Sequence, residues 1–267
     1  MDKKIGLIAG NGAFPLVFAR EARRQGETVV AVALKEEADP QLEQAVDQIT
    51  WLSLGQLGKT IRFFKDQGVT RAVMAGQVKH TQLFRHILPD LLVTKLLARV
   101  VNKKADTLLS AVTREFEQEG IQFLPSTTYL DHLLCPRGPL TRRAPTSSEK
   151  SDIDFGLPLA RHIAGQDIGQ TLIVKDKTVV AVEAMEGTDA CIRRAGQIAG
   201  PGCVIIKVAR PKQDLRFDVP VTGPRTLEAM KESGSAVLAL DAGKTLLLEK
   251  ETLLKVADAA QLCITGV

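Results

Sequence analysis

The residues whose types and spacing most invite chemistry are Asp214, Arg216 and Asp218, in Gln213-Asp214-Leu215-Arg216-Phe217-Asp218-Val219-Pro220. A period of two predicts a strand with these three on one face and Leu215, Phe217 and Val219 on the other. Acid, base, acid in a row is costly to bury, and two carboxylates around a guanidinium suit a magnesium ion and a phosphate oxygen. The competing reading is a solvated strand face with surface ion pairs, each contributing about 0–1 kcal/mol. The segment alone gives the two readings equal weight.

A second polar cluster interrupts an apolar strand at Val182-Glu183-Ala184-Met185-Glu186-Gly187-Thr188-Asp189-Ala190-Cys191-Ile192-Arg193-Arg194. Gly187 allows a sharp turn, and Thr188 or Asp189 is expected to cap the helix that follows. Capping does not account for Glu183 in an alternating apolar run, nor for Glu186 beside a helix start. These carboxylates can complete a metal shell with Asp214 and Asp218, or take a proton from water.

Two glycine turns come earlier. In Ile5-Gly6-Leu7-Ile8-Ala9-Gly10-Asn11-Gly12-Ala13-Phe14-Pro15 a strand runs through Gly10, Asn11, Gly12 and Ala13 into a helix, whose orphan amides and positive dipole end suit a phosphate. Pro15 stands where a dinucleotide fingerprint has its third glycine, which disfavours NAD. Met74-Ala75-Gly76-Gln77 closes another strand and is expected to bring Gly76 and Gln77 to the same crevice.

The elements that must position these residues change in grammar along the chain. Residues 5–9, 28–34, 49–54, 72–75 and 121–124 read as strands, and 15–25, 57–67, 81–101 and 106–119 as helices. That alternation predicts a parallel sheet with helices on both faces. Residues 136–150 contain three prolines and several small polar residues and read as a linker or hinge loop between domains over 1–135 and 151–267. The second domain reads as α+β with two hairpin-helix units. Strands 171–174 and 179–182 precede a helix over 189–198, and strands 236–240 and 245–248 precede one over 251–260.

Composition narrows the class. The chain has 267 residues, 45% hydrophobic and 25% charged, enough for real cores. A net charge of +4 and 4% aromatic residues argue against nucleic-acid binding. No apolar run reaches bilayer length, and the short apolar opening after Lys3 and Lys4 is too brief for a signal peptide. Cys135, Cys191, Cys203 and Cys263 lack zinc or disulfide spacing, so a reduced cytoplasmic setting is expected. His80, His86, His132 and His162 show no ligand spacing. The basic, aliphatic 81–101 segment reads either as a core helix with snorkelling Lys and Arg or as a face toward acyl chains or an anionic membrane.

Taken together, Gly6-Leu7-Ile8-Ala9-Gly10-Asn11-Gly12-Ala13-Phe14-Pro15, Val182-Glu183-Ala184-Met185-Glu186-Gly187-Thr188-Asp189-Ala190-Cys191-Ile192-Arg193-Arg194-Ala195-Gly196, and the Asp214 to Pro220 stretch with the later Gly223 and Thr226 resemble the magnesium-dependent, two-domain UDP-2,3-diacylglucosamine pyrophosphatases of lipid A synthesis. The resemblance covers nearly the whole chain. It implies a bacterial cytoplasmic enzyme that hydrolyses UDP-2,3-diacylglucosamine to UMP and 2,3-diacylglucosamine 1-phosphate. It also implies a Rossmann-like, nucleotide- and phosphate-binding first domain and a catalytic, lipid-binding second domain. Asp218 is then the most sensitive residue, with Asp214 and Glu186 as helpers and all three as Mg2+ ligands. The ranking of Asp218 over Asp214 comes from the resemblance alone. Gly10, Asn11, Gly12, Ala13, Gly76, Gln77, Gly187, Thr188, Asp189 and Arg216 are the expected substrate contacts. Transient contact with the inner membrane and a homo-oligomer stay open. The alternatives are an NAD(P)-dependent oxidoreductase using the first glycine turn, and a noncatalytic nucleotide or lipid sensor.

Overall fold

The computed structural model describes residues 3–35, 37–78, 89–99, 105–211 and 213–267. His80, His86 and much of the helix expected over 81–101 lie outside these residues; within them that helix runs over Leu91–Arg99. The chain divides into two units, Met1–Leu130 with Asp214–Asp218, and Asp131–Gln213 with Val219–Val267.

In the first unit, strands β1 (Lys4–Ala9), β2 (Thr28–Leu34), β3 (Gln48–Leu52), β4 (Arg71–Ala75) and β5 (Gln122–Phe123) form a parallel sheet in the order β3-β2-β1-β4-β5. Helix α1 (Phe14–Arg24) buries Phe14, Phe18, Ala19 and Ala22, spaced as a helix face requires. A separate cluster joins Val30, Val32 and Ala72 of the sheet to Ile61 and Phe64 of α3 (Leu57–Asp66), Leu96 of α4 (Leu91–Arg99) and Phe116 of α5 (Ala105–Gln118). The short α2 is Leu42–Ala45. The strand order reverses between β1 and β4, so the carboxyl ends of those two strands frame the crevice where open α/β sheets take ligands.

In the second unit, β6 (Gly138–Pro139), β7 (Thr171–Lys175), β8 (Thr178–Val182), β9 (Val204–Lys207), β11 (Val237–Leu240) and β13 (Cys263–Gly266) form a mixed sheet. Alternation sorts its side chains cleanly. Leu172, Val174, Val204, Ile206, Val237, Ala239 and Cys263 pack with Ile153, Ala160 and Ala164 of α6 (Ser147–Gly165). Ile173, Ile205, Leu238, Leu240 and Ile264 pack with Ile192 of α7 (Thr188–Ala199), Leu227 and Met230 of α8 (Pro224–Ser233) and Leu253 of α9 (Lys250–Ala259). The sheet is apolar on both faces because both are covered.

Two expectations give way here. The second hairpin does not form: Val237–Leu240 pairs in parallel with β9 and β13, while β12 (Leu246–Leu247) pairs in parallel with β10 (Val221–Thr222). Val237–Leu240 is buried along its whole length, and such a strand fits the middle of a covered parallel sheet rather than a hairpin arm. The first hairpin does form, β7 against β8, with Asp176 and Lys177 both at positive φ in the turn. The 136–150 stretch, read from sequence as a linker, is built into the second unit. Gly138–Pro139 pairs with β13, and Thr146 and Glu149 form a capping box on α6.

Helix α7, whose first turn carries Thr188 and Asp189, is set against α8 through Gly196. A Cβ there would lie 2.7 Å from Ser233 Cα and 2.8 Å from its carbonyl oxygen. Backbone atoms cannot rotate away, so Gly196→Ala is expected to destabilise the protein by about 1–3 kcal/mol. A urea midpoint equal to wild type would show that the two helices do not depend on this close approach.

Candidate active site

Asp214–Asp218 is a turn, not the strand that alternation predicts. Asp214 Oδ1 accepts from the Arg216 amide at 3.0 Å, and the Asp214 carbonyl accepts from the Phe217 and Asp218 amides at 3.2 and 3.0 Å. An aspartate that captures the amide two residues on competes directly with a strand ladder. Leu215, which alternation sends to a core, is 41% exposed.

The same carboxylate grips the Arg216 side chain. Nε lies 3.0 and 3.2 Å from Asp214 Oδ1 and Oδ2, and Nη2 lies 2.8 Å from Oδ2. Nη1 donates to Glu117 Oε1 at 3.1 Å. The Arg216 hydrogen bond holds the Asp214 carboxyl below its usual range, and that pairing raises the Arg216 pKa. A guanidinium has five N–H groups, so each terminal nitrogen of Arg216 keeps one for another acceptor. Asp218, half-buried, closes the turn.

The two glycine turns meet at the ends of β1 and β4. The Gly10 amide donates to Ala75 O at 2.8 Å, and Asn11 and Gln77 exchange backbone hydrogen bonds at 2.7 and 3.1 Å. A Cβ on Gly10 would sit 2.6 Å from Gln77 O, and one on Gly76, at φ +90°, 2.7 Å from Asn11 O. Gly10 and Gly76 are thus needed for the two turns to approach one another. A Cβ on Gly12 would meet open space, and Ala13, the N-cap of α1, gives no side-chain cap.

Ser126, absent from the sequence-based site, joins these parts. Its amide donates to Leu215 O at 2.7 Å, and its hydroxyl oxygen lies 2.6 Å from Met74 O and 2.9 Å from Arg216 O.

The second unit holds the other expected residues. Gly187, at φ +82°, is the N-cap of α7 and gives no side-chain cap, so neither Thr188 nor Asp189 caps as expected. Asp189 pairs with Arg225 at 2.8 Å. Thr188 Oγ1 donates to Glu183 Oε1 at 2.9 Å and accepts from Lys207 Nζ at 3.3 Å. Lys207 also donates to Val221 O at 2.9 Å. The carboxylate of this turn that enters the fold is therefore Glu183, not Glu186. Glu186 is exposed, accepts from its neighbour Ala184 N at 3.0 Å and pairs with Arg194 at 2.7 Å. A hydrogen bond from its own backbone amide, then Arg194, keeps its carboxyl low.

Among the described residues no group of three or more His, Cys, Asp or Glu side chains could hold a metal ion. Carboxylate oxygens are the donor type Mg2+ takes, yet Asp214 and Glu186 are each committed to an arginine. The cysteines are buried, and burial pushes the thiols of Cys135 and Cys191 up to about 11 and about 12, far from nucleophilic. No described helix is long and apolar enough to cross a membrane.

Comparison with known proteins supplies the context. Family models described as the LpxI N-terminal domain and the LpxI C-terminal domain match residues 4–133 and 136–265. The chain is 32% identical over 276 residues to the UDP-2,3-diacylglucosamine pyrophosphatase LpxI of Caulobacter vibrioides, covering 99% of this chain and 98% of that one. Among solved structures, the biotin carboxylase domain of a single-chain bacterial carboxylase aligns at 14% identity and a TM-score of 0.31, over 80% of this chain and 60% of that one. The biotin carboxylase domain of a thermophilic 2-oxoglutarate carboxylase aligns at 13% and 0.30, over 65% and 35%. Likenesses that distant carry no argument.

Asp214 has a native pKa below its unfolded value. Its contribution to stability is full above the unfolded pKa of about 3.9 and is lost as the pH falls through the native one. Asp214→Asn is therefore expected to lower the urea midpoint at pH 7, with the gap to wild type narrowing below about pH 4. A gap that widens on acidification would contradict the ion pair.

Proposed function

The chain belongs to the LpxI family, and from that premise we propose that it hydrolyses the pyrophosphate bond of UDP-2,3-diacylglucosamine, releasing UMP and 2,3-diacylglucosamine 1-phosphate for lipid A biosynthesis. The observation that carries this reading is the match, over 99% of the chain, to a relative named for that pyrophosphatase.

The chemistry of the first unit supports it. A pyrophosphate brings negative charge that must be met by fixed donors, because preorganised donors act without reorganising during the reaction. Arg216 is held from two sides by Asp214 and Glu117 and retains two N–H groups for phosphate oxygens. The uncapped start of α1, beyond the Gly10–Gln77 turns, offers backbone amides and a positive dipole end. The parallel β3-β2-β1-β4-β5 order supports a Rossmann-like reading of this unit, with its ligand at the switch point.

In the second unit the Thr188 hydroxyl already gives its proton to Glu183 and receives one from Lys207. Substrate contact at Gly187, Thr188 and Asp189 therefore falls to the first-turn amides of α7. Asp218 is the residue on which hydrolysis depends most, orienting or deprotonating the attacking water or holding Mg2+. Asp218 would hold that ion, which when bound would neutralise phosphate charge.

Neither alternative gains support. Pro15, where a dinucleotide fingerprint has its third glycine, counts against the oxidoreductase. A sensor would leave the clamped Arg216 and Asp218 without a task. Asp218→Ala is expected to stay folded and to bind the lipid nucleotide, while turnover falls by at least about 100-fold. Turnover at the wild-type rate would remove Asp218 from the mechanism.

A further inference from the structure

We propose that Ser126 is a positioning residue for hydrolysis, acting through Arg216 and Asp218; the inference rests on the function proposed above. Ser126 is 1% exposed and follows β5, where the Leu124 amide still bonds Ala72 O at 2.9 Å. Its hydroxyl lies between Met74 O, on the strand that feeds the Gly76 turn, and Arg216 O, in the middle of the Asp214–Asp218 turn. Its amide holds Leu215 O, the residue before.

The geometry reaches across the chain. The partners lie 52 and 90 residues from Ser126 in sequence. Asp214–Asp218 is a five-residue visitor to the first unit, its neighbours on both sides belonging to the second. Within that turn, the bonds from Arg216 to Asp214 fix the local shape and leave the turn's register on the sheet to other contacts. Ser126 supplies two of those contacts to consecutive carbonyls, those of Leu215 and Arg216.

Proton counting says what the hydroxyl does. A serine hydroxyl has one proton, and here two carbonyl oxygens lie within 2.6 and 2.9 Å of it. The proton is shared between them or passes from one to the other, so the end of β4 and the Arg216 turn are tied through one atom. The same end of β4 holds the first glycine turn through Ala75 O. Ser126 thereby sets the distance between the helix-start amides of α1 and the guanidinium of Arg216, the two donors assigned to the pyrophosphate. A displacement of about 1 Å between such groups costs up to about 100-fold in rate.

The test compares wild type with Ser126→Ala on UDP-2,3-diacylglucosamine, reading kcat and KM separately, alone and combined with Arg216→Lys. The expected result is a kcat lowered by about 10- to 100-fold with KM within about threefold, and little further loss when Ser126→Ala is added to Arg216→Lys. An unchanged kcat, a loss confined to KM, or losses that multiply independently would overturn the inference. Should the alanine variant fail to fold, Ser126→Thr and Ser126→Val have equal shape and differ in the hydroxyl. Threonine must then retain the kcat that valine loses, and equal rates for the two would overturn the inference. A wild type that releases no UMP would overturn the functional reading and this inference together, whereas a normal wild type beside a normal Ser126→Ala overturns this inference alone.

Discussion

The bond between Asp214 and Arg216 is the constraint from which the candidate site follows. One carboxylate takes the backbone amide, Nε and Nη2 of the same arginine, and this converts a stretch with perfect strand alternation into a tight turn. A strand would have presented three charges in a flat row. The turn instead uses Asp214 to aim Arg216 and places Asp218 at its close, so the two aspartates, equivalent in sequence, have different tasks. In the proposed function Asp214 holds the cation offered to phosphate, and Asp218 is the residue that serves water or metal.

The same logic of engaged groups separates the acidic residues of the second unit. Glu186 and Asp189 each pair with an arginine, whereas Glu183 turns inward to Thr188, which in turn accepts from Lys207. One oxygen of Glu183, Oε2, is enclosed and takes no hydrogen bond. An enclosed carboxylate is tolerated when cations and hydroxyls stand beside it, and the Thr188–Lys207 chain provides them. Gly169 makes room for this arrangement, since a Cβ there would fall 2.0 Å from Glu183 O.

Much of the fold was legible because burial imposes periodicity. The runs at 28–34 and 171–174 are apolar on both faces, and both faces are covered, whereas the strand at 204–207 was not read from the sequence. The glycines at 10 and 76 marked strand ends correctly. Local chemistry that overrides periodicity was the part the sequence hid. The Asp214 side chain competes with a ladder, and Val237–Leu240 is indistinguishable by pattern from a hairpin arm until its parallel neighbours are known. Ser126 follows Pro125 in an unremarkable loop, and its partners are too distant in sequence for any spacing rule to find. Glu183 was visible as an anomaly in an apolar run, but Lys207, which donates to its partner Thr188, ends a strand 24 residues later and carries no motif.

In the proposed function the clamped arginine, the glycine turns and the start of α1 serve pyrophosphate hydrolysis. Its most direct test is product analysis after incubating the purified protein with UDP-2,3-diacylglucosamine, with and without magnesium. The account predicts UMP and the diacylated glucosamine 1-phosphate in equal amounts, and in greater yield with magnesium. Tight binding of the lipid nucleotide with neither product formed would contradict it and make the chain a binding protein.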